Sequence, residues 1–262
     1  MCLSISRFCF LLFSSLLLSG GTESVRAGIF RVSNGEMLAS ASTAYETSFP
    51  RPGHAEQSPK DWYAGLAESV RGAISKASKL DKQLPERIMG LAVDTTCCTV
   101  VCLDSRGEPL RPSIQWMDSR AAPYAEKIMR LGRGDPFLQR NSAGQGPLSA
   151  EWMLPKALWL KTETPEVWKA ATTVCEYQDF INFRLTGRMC CCNLQCATRW
   201  HWDTREAVAK PFPSGRPSSL LAKIGLSDLL EKWPRECVEA GQEVGKLTTK
   251  AAKNLGLKPG LR

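Results

Sequence analysis

Residues 19–26 read Ser-Gly-Gly-Thr-Glu-Ser-Val-Arg, with Thr22, Glu23, Ser24 and Arg26 set directly behind a glycine pair. A turn of this kind offers backbone N–H groups and hydroxyls to anionic oxygens, the chemistry that binds a phosphate ester. Arg26 would add charge-assisted hydrogen bonds. The same residue types also fill ordinary turns, where Thr22 and Ser24 satisfy local backbone and Arg26 faces solvent. A second polar break, Asp94-Thr95-Thr96, separates the apolar stretches "LAV" and "TVVCLD". Polar groups inside buried β structure need partners, and α/β proteins place ligand contacts at such breaks.

The chain carries eleven cysteines, in which Cys97-Cys98 and Cys190-Cys191-Cys192 are contiguous. Neighbours in such runs do not space like a disulfide framework, so reduced thiols in a reducing compartment are expected. Cys192, Cys196 and His201 are a possible zinc set on paper, but no second ligand pair at metal spacing accompanies them. The net charge is +8, yet Lys and Arg are scattered singly, with no basic run interleaved with aromatics. That pattern argues against a nucleic-acid partner. A diffuse positive field suits a protein that handles phosphate esters equally well.

The elements that must hold these residues read as alternating strands and helices, an α/β class. "VRAGIFRV" and "MLASASTAY" form a hairpin around Asn34-Gly35. Ser58-Pro59 opens a helix whose Trp62, Leu66, Val70 and Ile74 fall on one stripe. "IMGLAVDTTCCTVVCLD" is a strand–turn–strand unit, a helix starts near Ala121, and residues 133–150 form a loop. "EWMLPKALWLKTETPEVW" gives a helix, a turn led by Pro165 and a short helix. "CEYQDFINFRLTG" gives a helix closed by Gly187. "CNLQCATRWHWD" is irregular or strand, "FPSGRPSS" is an exposed loop, and "LLAKIGLSDLLEKWP" is helical. A strand entry, a helix and a stop close the chain. Residues 1–18 carry an apolar run of signal-peptide length around "FCFLLFSSLLL" with a single Arg7. Residues 1–20 are expected to be a hydrophobic leader outside the fold. The expected compartment is the cytoplasm, with secretory or organellar targeting left open by that leader.

From Gly21 onward the motifs resemble the N-terminal domain of FGGY-family carbohydrate kinases, nearest the ribulokinase-like branch. The stretches that carry the resemblance are "GTESVRAGIF", "FPRPGHAEQSPKDWY", "VDTTCCTVVCLDSRGEPLRPSIQWMDSRAA", "SAEWMLPKALWLK", "CEYQDFINFRLTG", "RWHW" and "GLSDLLEKWPREC", in family order. It implies an actin-like, ribonuclease-H-like ATPase domain over residues 21–262. The reaction implied is ATP-dependent phosphorylation of a ketopentose or related polyol, with ATP and Mg2+ as cofactors. Thr22, Glu23, Ser24 and Arg26 then match the hairpin that faces the nucleotide phosphates. Thr96, Cys97, Asp118, Arg120, Gln178, Asp179 and Arg199 match the sugar side, with Asp118 and Arg120 able to pair as a brace. His201 reads as a core residue rather than a general base. The partner expected is a small sugar or polyol, with no membrane partner and a homodimer left open.

Two departures from the family accompany this. The first-strand Asp that helps hold the Mg–phosphate group is matched by Ser19, and the strand before it reads as replaced. The catalytic Asp has no matching position, so no catalytic residue and no metal ligand is assigned. The C-terminal ATP-binding domain reads as absent, and the chain alone is expected to be inactive. A non-catalytic sugar-binding or regulatory protein is the alternative.

Overall fold

The computed structural model describes residues 13–138, 147–204 and 214–262. Its first sheet begins with β1 (Ser14–Gly20), β2 (Ser24–Arg31) and β3 (Met37–Ala44), a meander of antiparallel neighbours. The chain then passes through a short β4 (Glu56–Gln57) into α1 (Pro59–Leu80), and β5 (Ile88–Thr95) returns parallel to β1. The strand order is β3-β2-β1-β5. A three-strand meander, a helix and a parallel fourth strand make the ribonuclease-H-like arrangement.

The expectation that residues 1–20 stand outside the fold is overturned for Ser14–Gly20. This stretch is a central strand, paired with β2 on one side and β5 on the other. An apolar run of this length suits a buried strand as well as a targeting segment, and the partners on both edges decide between them. Leu16 and Leu18 point into the core while Leu17 faces out, the two-residue alternation of a strand. The first strand is therefore present. Residues 1–12 lie outside the described residues.

Helix α1 covers the inner face of this sheet. Ser58 caps it by accepting from the Asp61 N–H, and Pro59 sits at its first turn, where its missing N–H costs nothing. Its buried stripe runs Trp62, Leu66, Val70, Ala73, Ala77, so spacing four slips to three as a 3.6-residue period requires. Together with Leu16, Leu18, Val25, Ala27 and Ile29 this stripe forms the first apolar core.

The polar break after β5 carries the chain out of that sheet. The strand–turn–strand unit is a crossover and not a hairpin: β6 (Val100–Leu103) belongs to a second sheet, ordered β4-β7-β6-β8, with β7 (Ser113–Ile114) and β8 (Thr173–Glu176). A second apolar core surrounds α2 (Ala122–Leu131), α3 (Met153–Glu163) and α4 (Pro165–Ala170), with Trp152, Trp200 and Trp233 at its centre. Helix α5 (Tyr177–Thr186) runs from β8 and ends at Gly187 with φ 75°, as the closing glycine predicts.

The segment read as irregular or strand after Gly187 is a two-residue β9 (Cys191–Cys192) followed by a helix, α6 (Asn193–Arg199). The "LLAKIGLSDLLEKWP" stretch divides into α7 (Ser218–Lys223) and α8 (Leu229–Lys232), and β10 (Cys237–Val238) pairs in parallel with β9. Within the stretch read as an exposed loop, Gly215 and Pro217 are buried. The last helix, α9 (Thr249–Leu255), is capped by Thr248. Part of the 133–150 loop lies outside the described residues.

Candidate functional site

Strands β1 and β5 run parallel and end side by side, with Gly20 in register with Thr95 and the Thr96 N–H donating to Gly20 O at 3.0 Å. Ligands of α/β sheets gather beyond the carboxyl ends of parallel strands, where two chains diverge and leave a crevice. Both polar stretches found in the sequence begin at these ends.

The first is closed by Gly21 N–H donating to Ser24 O at 2.9 Å. Thr22 is held at both polar atoms: its carbonyl accepts from Gln57 Nε2 at 2.6 Å and its hydroxyl from Trp116 Nε1 at 3.1 Å. The Thr22 hydroxyl proton thus remains to be donated. Glu23 and Arg26 are exposed. The Arg26 Nη1 hangs over the turn, 3.8 Å from where a Cβ on Gly21 would stand. The Tyr45 hydroxyl donates to Gly21 O and lies 3.3 Å from the Tyr177 hydroxyl.

Ser19 stands in register with Asp94 of β5, and the Asp94 carboxylate is exposed. In-register neighbours on adjacent strands share a face, so a carboxylate lies one strand away from the position that Ser19 leaves without one. A hydroxyl, a guanidinium and turn N–H groups suit phosphate, and an exposed carboxylate beside them suits Mg2+. The residues present therefore fit a nucleotide phosphate with its metal.

The second stretch turns through Thr96, Cys97, Cys98 and Thr99. Cys98 has φ 66°, a left-handed backbone that L-residues seldom adopt and that needs support. Lys156 of α3 supplies it. This side chain is wholly buried, and its Nζ donates to Cys98 O at 2.7 Å and to Gln115 O at 2.5 Å, with Trp116 O at 3.4 Å. One ammonium thereby ties the 96–99 turn to the turn that carries Trp116. Burial lowers the Lys156 pKa to about 8. The opposite wall is Glu176, whose carboxyl accepts from Thr99 N–H at 3.1 Å and Trp200 Nε1 at 2.9 Å. Burial pushes it up to about 8. The Cys97 thiol is half-buried, and its pKa is lowered, first by a hydrogen bond from Cys98 and further by the Arg199 charge.

Asp118 and Arg120 form the closed pair that the sequence allowed as a brace. Arg120 Nε and Nη2 donate to Asp118 at 2.8–2.9 Å and its Nη1 donates to Glu56 at 2.7 Å. Asp118 is fully buried and also accepts from Ala55 N–H at 2.6 Å. Arg111 joins the same Glu56, and both guanidinium groups stack on the Trp159 ring. With their polar atoms used on one another, these two residues brace the loop that presents Trp116.

Gln178 is half-buried; it donates to Val93 O at 2.9 Å and accepts from Gln195 Nε2 at 3.1 Å, linking α5 to β5 and α6. Asp179 closes the start of α5 through one oxygen. It is buried, accepts from Glu176 N–H at 3.0 Å as part of the helix cap, and is pushed up to about 7 by burial. Arg199 ends α6 half-buried over the Trp152 ring, 5.0 Å from its centre. His201 is a core residue: buried, at φ 59°, with Nδ1 2.9 Å from Phe137 O. Nor do Cys192, Cys196 and His201 converge, since the Cys196 thiol meets Cys191 and Cys237 instead. Sequence reasoning assigned no role to Tyr45, Lys156, Glu176 or Tyr177. A lysine inside the apolar run "MLPKALWL" was the available sign for Lys156.

The N-terminal domain of the FGGY family of carbohydrate kinases matches residues 15–206. This chain belongs to that family. The match starts inside β1, in keeping with that strand's place in the sheet. A ribulokinase from Bacillus licheniformis is 27% identical over 258 residues, covering 90% of this chain and 45% of its own length. A human FGGY carbohydrate kinase domain-containing protein is 30% identical over 258 residues, covering 92% of this chain and 43% of its own length. Among solved structures, xylulose kinase from Rhodospirillum rubrum superposes with a TM-score of 0.80 at 26% identity, covering 95% of this chain and 47% of that one. The chain thus spans about half the length of the relatives it matches. Among the described residues, no helix is long and apolar enough to cross a membrane.

Proposed function

We propose that this chain forms the sugar side of an ATP-dependent kinase acting on a ketopentose or related polyol. The observation that carries this reading is the meeting of two turns at the ends of β1 and β5, one suited to phosphate and one lined by small polar side chains. In it Thr96, Cys97, Gln178 and Arg199 surround the polyol, while Trp116 and the Thr22 hydroxyl stand between sugar and phosphate. Small side chains at Thr96 and Cys97 let backbone groups approach a ligand rich in hydroxyls. Arg26, Thr22 and the turn N–H groups would hold the nucleotide phosphates, and Asp94 would face the Mg2+. When bound, that ion neutralises the charge of the transferring phosphoryl group. No general base is assigned to this chain.

The test is thermal unfolding in the presence of ribulose, xylulose, an aldohexose and ATP–Mg2+. A ligand at 100 times its Kd stabilises the folded state by about 2.7 kcal/mol, a readily measured rise in Tm. Selective stabilisation by a ketopentose supports the reading, and equal indifference to every sugar overturns it. Ser19, where the family resemblance places a carboxylate, favours a second reading of sugar binding without turnover. Formation of a sugar phosphate from ATP by this chain separates the two.

A further inference from the structure

Beneath α6, away from the two turns, three thiols meet. Cys191 and Cys237 are register partners on the parallel strands β9 and β10, and Cys196 reaches back from α6. The side chains of all three interact pairwise. Register partners on neighbouring strands stand about 4.8 Å apart, inside the Cα separation that a disulfide spans. Cys191 and Cys196 are buried, whereas Cys237 is half-buried.

Arg216 lies close enough to act on all three sulfurs, and its guanidinium is fixed by donation to Leu230 O at 3.0 Å and Pro234 O at 2.7 Å. A fixed positive charge beside a reachable thiol, with further thiols behind it, is the setting in which a thiolate reacts and a neighbour resolves the product. The other half-buried member of the run, Cys192, follows Cys191 in the strand and so projects to the opposite face.

We propose that Cys237 is a peroxide-reactive cysteine and that Cys191 resolves it, closing a disulfide between β10 and β9. The Cys237 thiolate attacks one oxygen of hydrogen peroxide, breaking the O–O bond, and becomes a sulfenic acid as hydroxide leaves. Cys191, losing its proton, attacks the sulfenic sulfur and expels hydroxide. Two thiols and one peroxide thus give one disulfide and two waters. The bond ties β10 to the residue just before Cys192, the N-cap of α6. Through α6 it fixes the positions of Gln195 and Arg199.

The experiment treats the full chain with dilute hydrogen peroxide, blocks remaining thiols, digests with trypsin and maps the products by mass spectrometry. Cleavage after Arg188, Arg199, Arg235 and Lys246 puts Cys191 and Cys237 on separate peptides, 189–199 and 236–246. The expected product is these peptides joined with loss of two hydrogens, fragmenting to a Cys191–Cys237 link that a reductant reverses. Cys237→Ser abolishes the link, Cys191→Ser combined with Cys196→Ser leaves Cys237 as a trapped sulfenic acid, and Cys192→Ser changes nothing. Fragment spectra of the unsubstituted chain decide the matter even if a variant folds poorly. A link through Cys192, an unreacted Cys237, or oxidation spread evenly over the half-buried thiols overturns the proposal.

Discussion

The ring of Tyr177 lies against the backbone of Gly20, so that a Cβ at Gly20 would stand 2.7 Å from the ring and from its hydroxyl oxygen. The ring has nowhere to retreat, because its other face stacks on Trp62 with centroids 3.8 Å apart. This contact joins the end of β1 to the start of α5, and through the Tyr45 hydroxyl to the carbonyl of Gly21. Gly20→Ala is expected to destabilise the chain by about 1–3 kcal/mol, the usual cost of overpacking. Denaturant unfolding followed by tryptophan fluorescence checks it, and an unchanged midpoint would show that the ring is free to move.

The placement of Ser14–Gly20 as a central strand makes a sharper demand. Leu16 has no exposed surface and packs against α1. Leu16→Ala should cost about 2–5 kcal/mol, as buried leucine truncations do. At Leu17, which is 45% exposed, the same change should cost about 0.5 kcal/mol or less. Equal small effects at both positions would mean that the stretch does not form a strand.

Much of the fold was legible in the sequence because local chemistry set it. Asn34-Gly35 marks the β2–β3 hairpin, Ser58-Pro59 starts α1, and Gly187 stops α5. Strand β1 was not, because "LLFSSLLL" satisfies a targeting segment and a buried strand equally, and only partners distant in sequence choose between them. Helix α6 was missed for a related reason: seven residues with no side-chain cap are held by tertiary contacts and not by propensity. In the site, the turn at Thr22 was marked by its residue types, whereas Cys97 entered only through the family resemblance. Asp118 and Asp179 were placed on the sugar side by the family resemblance, whereas the Arg120 partner of the one and the helix cap closed by the other appear only in the folded chain. Lys156 and Glu176 escaped attention because their partners are mainly backbone groups that only the folded chain brings near.

Breaking the brace behind Trp116 is expected to be expensive. Asp118→Asn leaves Arg120, whose side chain is 2% exposed, as a buried charge with Glu56 as its remaining acidic partner. Removing one member of a buried pair costs about 3–5 kcal/mol. Loss of stability from Asp118→Asn with little change from a substitution at exposed Asp94 would mark Asp118 as a brace, whereas weakened sugar binding at full stability would restore the ligand role.

Lys156→Met tests the tie between the two turns. Methionine fills similar volume and relieves the burial of a charge, but it leaves the carbonyl of Cys98 without its donor, while Gln115 O keeps the Asp118 N–H at 3.1 Å. Each buried unsatisfied group costs about 1–3 kcal/mol, partly offset by the charge removed. The variant should therefore fold with modestly reduced stability and lose sugar-dependent stabilisation, because neither Cys97 nor Trp116 is then held. A variant that binds sugar as before would show that the turns keep their places unaided.

The dependence of stability on pH isolates His201. Burial holds its pKa down at about 4, against an ordinary value of 6.5. The unfolded chain therefore binds a proton that the folded chain refuses, and the stability tied to this residue is present above pH 6.5 and lost as pH falls toward 4. Its slope approaches about 1.4 kcal/mol per pH unit within that window. Glu176 works in the opposite sense, since its raised pKa favours the folded state at low pH and that contribution fades as pH rises from about 4.5 to about 8. Asp179, raised by burial to about 7, acts in the same sense as Glu176, so the unsubstituted chain shows only the net of the three. His201→Asn keeps a residue that tolerates the left-handed backbone and removes the titration. Its stability relative to the unsubstituted chain, measured by denaturant at pH 4.5 to 7, should rise as pH falls, the gap between the two curves widening toward pH 4.5. Parallel curves would mean that His201 is protonated in the folded state and that its ring nitrogen reaches solvent.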